Sequence, residues 1–425
     1  MKIRITHIPN TYNYGSAMMA VSLIKGLTEL LPEIKIDYYT DVNSDSDLER
    51  LKGSTGINSI FKYDDIADRQ WREYRTYEKI VKLPEKIRKI KSKLDRIINE
   101  FDASIILGGD DFSEYYGTAH VVLELLKVKY LSNRMPVYLA GQTIGPFTSY
   151  RAHLASWSLK NTRIYSRDQI CFNYLRNTLG LNKVMNSRDL AFLDIPHQKD
   201  GMAAGHIMQK YGLHNGSYLT IVPSGLVDSY TKHEDSYINA FVSIITEVLQ
   251  HEPRIEKVLL LPHVFSPKGP EDSIMIEKIV DKISSDLLNK LVIIKESMLP
   301  YEARILLGGG LLTITGRMHA AVSTYQMKKP AICLSYSVKY RGVISDGLGM
   351  DKLVLECAND DIWCSGKVVT EITDRVKYTL NNYDSLISRI NESSEKAKRY
   401  ALAQLEDIAS HLRTIVRTDT NYIEK

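Results

Sequence analysis

Cysteine is scarce in this chain: four in 425 residues. Cys171, Cys333, Cys357 and Cys364 are scattered, with neither CxxC nor His-rich spacing, so the sequence offers no disulfide scaffold and no metal-binding motif. Reduced thiols and no metal are expected. No uninterrupted apolar run approaches the roughly 20 residues that a membrane-spanning helix needs. Met1–Pro9 has the pattern of a strand and lacks the long apolar centre of a signal peptide, so a cytoplasmic chain is expected. A GxGxxG fingerprint is missing, and Asp37 near the end of the second expected strand cannot replace it. No internal repeat goes beyond a recurring βα rhythm. No basic groove interleaved with aromatics speaks for nucleic acid.

What is present is a soluble globular composition, with 44% hydrophobic and 25% charged residues. The length exceeds one ordinary core, so two α/β domains are expected. Apolar runs at Ile3–Ile8, Ile34–Tyr39, Ala103–Leu107, Pro136–Ala140 and Arg163–Tyr165 alternate with helical patterns at Ser16–Leu30, Thr118–Leu131 and Asp168–Leu179. A second set of strands follows at Tyr218–Val222, Lys257–Leu261, Leu291–Ile294, Leu311–Ile314 and Ala331–Leu334. Helices are expected between them at Ser236–Gln250, Asp272–Asp286 and Tyr301–Leu307. Strand–helix alternation implies right-handed βαβ units and parallel sheets. The expected fold is therefore two Rossmann-like α/β domains facing each other across a cleft, residues 1–196 and 201–370. His197–Asp200 is the linker, and 371–425 is a helical segment packing back on the first domain.

Between Arg69 and Arg96 lie eleven Lys or Arg against four Asp or Glu, an excess larger than the whole chain's net charge of +4. Its apolar positions, from Ile80 to Ile98, recur at helical spacing within an insert at about 65–100. One reading is a packed helix with a solvated basic face. Another is peripheral contact of segment 69–96 with anionic lipid at the inner face of a membrane, or with an anionic glycan.

The strongest local signal is Thr315-Gly316-Arg317-Met318-His319, where an apolar strand ends and a helix begins. Ligands of open α/β sheets bind at such junctions, and a helix N-terminus offers free N–H groups and partial positive charge. Arg317 adds a permanent cation with a bidentate fork, and His319 adds a group that titrates near neutrality. A small phosphorylated or carboxylated ligand fits that chemistry. Arg167 repeats the arrangement in the first domain, after Tyr165-Ser166, with Asp168 as a helix N-cap. Lys339, just past another strand, is a candidate second cation.

Other strand ends carry Asn13-Tyr14-Gly15-Ser16, where Ser16 is a candidate helix cap, and Gly108-Gly109-Asp110-Asp111 with Glu114, Tyr115 and Tyr116. The carboxylates should sit at an open rim, because unpaired burial is costly, and Asp110 or Asp111 could accept a sugar hydroxyl's proton. Tyr115 could stack on a sugar face. Gln142 in Gly141-Gln142-Thr143-Ile144-Gly145-Pro146 and His263 after Pro262 are further candidates to line the cleft.

Taken in order, these motifs resemble the polysaccharide pyruvyl transferase family. The resemblance rests on Asn13-Tyr14-Gly15-Ser16, Gly108-Gly109, Gly141-Gln142-Thr143-Ile144-Gly145-Pro146, Ser166-Arg167-Asp168, Asp189-Leu190-Ala191-Phe192, Arg317-Met318-His319, and Lys339 ahead of Gly347-Leu348-Gly349. It spans Ile3 to about Gly349. Leu190 stands where many members have proline. The resemblance implies a GT-B-like fold, phosphoenolpyruvate as donor substrate with no further cofactor, and a sugar of a cell-surface polysaccharide or its lipid-linked precursor as acceptor. Two hydroxyls then share the pyruvyl carbon as a cyclic ketal, and phosphate leaves.

That reaction needs cations for phosphate and carboxylate, and Arg317, Arg167 and Lys339 fit, with Gly316 and Met318 beside them. It needs an acid for the enol methylene, for which His319 is the candidate, and a base, for which Asp110 or Asp111 is. Two other functions fit the same architecture: a nucleotide-sugar-dependent glycosyltransferase, and a non-catalytic glycan-binding or assembly subunit. The motifs specify neither the acceptor sugar nor an oligomeric state.

Overall fold

A computed structural model describes residues 1–63, 76–114, 117–265 and 272–423. Short apolar strands and the helices between them build two parallel sheets. The first holds β1 (Lys2–Thr6), β2 (Asp37–Thr40), β3 (Ile60–Lys62), β4 (Ala103–Leu107), β5 (Val137–Gln142), β6 (Arg163–Ser166) and β7 (Val184–Asn186), in the order β3-β2-β1-β4-β5-β6-β7. The second holds β8 (Tyr218–Val222), β9 (Lys257–Leu260), β10 (Leu291–Ile293), β11 (Leu312–Thr315), β12 (Ala331–Ser335) and β13 (Val354–Glu356), in the order β10-β9-β8-β11-β12-β13. Central strands such as β4 and β8 are buried at every position. That is why they read as unbroken apolar runs.

Each sheet reverses its winding once, between β1 and β4 in the first and between β8 and β11 in the second. At a reversal the connections on either side leave in opposite directions, which opens a crevice beyond the strand C-termini. The two crevices carry the residues described below.

The edge strands β3, β7 and β13 are absent from the expected set. Each has three residues and little burial, so no apolar run announces them. The expected helix Asp168–Leu179 is a short α-turn, Gln169–Asn173, followed by a π-helical turn, Tyr174–Thr178. The helix expected over Asp272–Asp286 stops at Val280. After Gly366, two helices, Lys367–Asn381 and Tyr383–Ile423, meet at Asn382.

The long Tyr383–Ile423 helix touches both lobes. Ser394 donates to the Tyr325 carbonyl (2.9 Å) in the second lobe. Further along, Asp407 accepts from Arg163 (3.1 Å) and Tyr165 (2.7 Å), and His411 meets the Tyr138 hydroxyl (2.6 Å). Its Leu405 lies so close to Gly26 that a Cβ there would sit 2.4 Å from Cδ1. Only glycine admits that contact without displacement. Among the described residues no helix is long and apolar enough to cross a membrane.

Candidate active site

The first crevice is shaped by two tight departures from the sheet. After β1 the chain turns through His7 at φ +72°, a left-handed conformation uncommon for residues other than glycine. Asp41 holds that turn by accepting the backbone N–H groups of His7 and Ile8, each at 2.9 Å. After β4, Gly108 passes the Gly141 carbonyl so closely that a Cβ would lie 2.4 Å from its oxygen. The loop then presents Asp110 and Asp111. Asp111 Oδ2 meets His7 Nδ1 at 3.1 Å, and Asp110 faces Lys339 Nζ at 3.4 Å. Lys339 also donates to the Tyr336 hydroxyl at 2.8 Å.

The second crevice lies where β11 ends. Arg317 caps the nine-residue helix Met318–Gln326. Its Nε and Nη2 reach the fully buried Asp272 carboxylate at 3.1 and 2.7 Å. Asp272 also accepts the N–H groups of Gly225, His263 and Val264. Burial would lower the Arg317 pKa, but Asp272 outweighs it and the guanidinium is raised above its ordinary value. The fork expected for a ligand is thus partly occupied by Asp272, and the Nη1 end has no hydrogen-bond partner among the described residues.

His319 spans the two lobes. Its Nε2 meets Asp189 Oδ2 at 3.1 Å, and Arg167 Nη1 donates to the same oxygen at 3.0 Å. Burial would raise the Asp189 carboxyl, yet His319, Arg167 and the Ala191 N–H together hold it well below the usual carboxylate range. The turn carrying Asp189 is clamped from the second lobe. Arg304, fully buried, donates to the carbonyls of Ala191 (2.7 Å) and Leu193 (2.8 Å), and burial brings its own pKa down to about 9. His263 is buried beside these cations. Desolvation, then His319, Arg317 and Arg304, push it well below the usual imidazole value, so it is neutral.

A cavity of about 460 Å³ joins the two crevices. Asn13, Ser16, Gly109, Asp110, Asp111, Arg167, His263, Arg317, Met318, His319 and Lys339 all line it, as do His7, Asp41, His120 and Tyr336. Tyr115 lies outside the described residues.

Three expected lining residues stand behind the wall instead. Gly316 gives its carbonyl to the hydroxyls of Tyr230 (2.6 Å) and Tyr340 (2.7 Å), and a Cβ there would meet Tyr230 Oη at 2.8 Å. Gly15 makes room for His319: a Cβ would lie 2.4 Å from its Nδ1 and 2.5 Å from its Cβ. Gln142 is wholly buried and turns its amide onto the Ile106 and Leu107 carbonyls. A fourth correction is local. The helix Tyr14–Leu30 is capped by Asn13, whose side chain accepts the Ser16 N–H, rather than by Ser16.

Three residues of the site are not among the sequence-level candidates: His7, Asp189 as the partner of His319, and Asp272. His7 falls inside the expected strand Ile3–Ile8, although its place before Ile8-Pro9 at a strand end is a usable signal. Asp189 belongs to the Asp189-Leu190-Ala191-Phe192 motif, which by itself assigns it no role. Asp272 is the first residue of an expected helix, and nothing local points to Arg317.

Two parallel-sheet lobes with a cationic, histidine-bearing cavity at their facing switch points define a GT-B-like enzyme architecture. The model of the polysaccharide pyruvyl transferase family matches residues 13–338, and the chain belongs to that family of transferases. The amylovoran biosynthesis protein AmsJ of Erwinia amylovora is 22% identical over 327 residues, covering 74% of this chain and 73% of that protein. Among solved structures, the UDP-GlcNAc 2-epimerase of Neisseria meningitidis bound to UDP-GlcNAc superposes with a TM-score of 0.60 at 10% identity, covering 96% of this chain and 99% of that one. The Methanocaldococcus jannaschii UDP-GlcNAc 2-epimerase in complex with UDP-GlcNAc and UDP gives 0.54 at 13% identity, covering 90% and 93%. At these identities the likeness is one of fold.

Proposed function

We propose that the protein transfers the pyruvyl unit of phosphoenolpyruvate onto a sugar of a polysaccharide, or of its lipid-linked precursor, as a cyclic ketal with release of phosphate. The observation that carries this reading is the junction of the Met318–Gln326 helix N-terminus with Arg317 and His319 inside the cavity. Free N–H groups, the Arg317 Nη1 end and Lys339 supply positive charge for phosphate and carboxylate. His319 keeps Nε2 on Asp189, so Nδ1, which has no hydrogen-bond partner among the described residues, is the atom that would deliver a proton to the methylene carbon. Arg167, almost wholly buried at the edge of the cavity, acts through Asp189, to which it donates.

Thermal stabilisation separates this from nucleotide-sugar chemistry. Phosphoenolpyruvate should raise the melting temperature and UDP-sugars should not, because only a bound ligand shifts the folding equilibrium. The opposite pattern would move the protein to the glycosyltransferase reading. Arg317→Lys should weaken phosphoenolpyruvate binding by roughly tens-fold to a hundred-fold. Lysine keeps the charge, but its single nitrogen cannot reproduce the planar fork that holds Asp272 through Nε and Nη2 and leaves Nη1 for the donor. Calorimetric titration of both proteins checks this, and equal affinities would take Arg317 out of the donor site.

We also infer peripheral contact with anionic lipid through the basic helix Thr76–Glu100, which suits a lipid-linked acceptor. The stretch 64–75, including Arg69, Arg72 and Arg75, lies outside the described residues. In the described part, Ile87 is 57% exposed beside exposed Arg88, Lys89 and Lys91. Replacing those three cations by Gln should weaken cosedimentation with phosphatidylserine vesicles by roughly tenfold or more at low salt. Unchanged cosedimentation would leave the helix a solvated face.

A further inference from the structure

Ketal formation needs a base as well as an acid, and the carboxylates around the cavity are already engaged. Asp189 and Asp272 are buried behind His319 and Arg317. Asp110 faces Lys339, and Asp111 faces His7. His7 is different. It lines the cavity from the first lobe, spends Nδ1 on Asp111 at 3.1 Å, and leaves Nε2 without a hydrogen-bond partner among the described residues.

Its backbone supplies a second observation. A histidine at φ +72° is strained, and such strain persists where the surroundings over-determine it, often at functional sites. Here the Asp41 carboxylate grips two consecutive N–H groups, and the ring lies nearly parallel to Phe112, 18° apart in plane with centroids at 6.1 Å. The held backbone and two ring contacts, Asp111 on Nδ1 and Phe112 on the ring face, therefore set one ring orientation. A carboxylate on one imidazole nitrogen with the other nitrogen toward the cavity is also the arrangement of His319 with Asp189 on the facing wall. The cavity thus holds two His–Asp pairs, one from each switch point.

Building on the pyruvyl-transfer reading, we infer that His7 is the general base for the acceptor, with Asp111 as its positioning residue. As a sugar hydroxyl oxygen bonds to C2 of phosphoenolpyruvate, its proton passes to His7 Nε2. The C2–C3 π pair takes a proton from His319, and C3 becomes a methyl group. The C2–O bond to phosphate then breaks with its electron pair on the phosphate, which takes the proton from His7. The second hydroxyl bonds to C2 and its proton passes to His319. Both histidines end as they began, and no oxidant, reductant or further reactant enters.

The acidic groups acting on His7 are Asp111, Asp41 and, from the helix Thr118–Ser132, Glu124, while Asp111 in turn interacts with His120 and Arg167, which also line the cavity. Burial lowers the His7 pKa, but its bond to Asp111 and the three acidic charges outweigh that and raise it above the ordinary imidazole value. A base acts in its neutral form. Turnover should therefore rise with pH through an inflection above the ordinary value of about 6.5.

The variant to make is His7→Gly, because glycine accepts the left-handed backbone without strain and leaves a ring-sized space. Phosphate release from phosphoenolpyruvate is measured with a panel of p-nitrophenyl hexosides and N-acetylhexosaminides, alongside calorimetric phosphoenolpyruvate affinity and the melting temperature. Turnover should fall roughly 10²–10⁴-fold, with phosphoenolpyruvate affinity within about twofold of wild type. Added imidazole should restore about tenfold or more, in proportion to its neutral fraction. Asp111→Asn should keep the fold and move the rising limb to lower pH.

Wild-type turnover in His7→Gly overturns the assignment. So does a lost activity that imidazole does not restore, since a merely structural histidine would behave that way. If wild type neither binds phosphoenolpyruvate nor releases phosphate with any glycoside, the pyruvyl-transfer reading itself falls and takes the role of His7 with it.

Discussion

His319→Gln should lose roughly 10²–10⁴-fold in turnover while keeping most of its affinity for phosphoenolpyruvate. Glutamine has the reach to donate a hydrogen bond to Asp189 and so to preserve the wall. Its amide has no proton to give to carbon. In the proposed reading the donor's anions meet Arg317, Lys339 and the Met318–Gln326 helix N-terminus, which line the cavity and which the substitution does not remove. The effect should therefore fall on kcat, the signature of an interaction made in the transition state. Calorimetric binding and phosphate release at saturating donor separate the two quantities. A variant that turns over at the wild-type rate would reduce His319 to a binding residue.

Asp189→Ala should be among the most destabilising single changes in the chain. Arg167 is 1% exposed and donates to Asp189, so removing the carboxylate strands a buried cation. Breaking a buried pair from one side costs about 3–5 kcal/mol. Replacing both partners, as in Arg167→Met with Asp189→Ala, should cost less than Asp189→Ala alone, because no charge is left unpaired. Urea unfolding of the three proteins tests that order, and an equally unstable double variant would refute the ion-pair explanation.

The pH dependence follows from the depressed Asp189 carboxyl. A carboxyl held below its unfolded value contributes fully above about pH 4, the ordinary carboxylate value, and loses that contribution as pH falls toward the folded value. The stability gap between wild type and Asp189→Ala should thus be constant near neutrality and narrow only in acid. Turnover should fall as well, since His319 loses the group that orients Nε2.

The sequence by itself determined the alternation of strands and helices, because buried parallel strands are apolar runs and flanking helices show a 3.6-residue stripe. It also determined that Arg317, His319, Arg167 and Lys339 stand at strand ends, since that placement is local. Where burial was slight, as in β3, β7 and β13, no pattern existed to detect.

Only the tertiary structure decided which of these groups face the cavity and what holds them. His319 meets a carboxylate 130 residues earlier in the chain, Arg317 one 45 residues earlier, and His7 one 104 residues later. Gly15 is a glycine because the ring of His319 packs against it. Gln142 and Gly316 looked like ligand contacts because the carbonyls and tyrosines that occupy them lie on other strands and helices. Periodicity records which face of an element is buried. It carries no trace of which distant side chain arrives there, and ion pairing, glycine clearance and the left-handed turn at His7 all depend on that arrival.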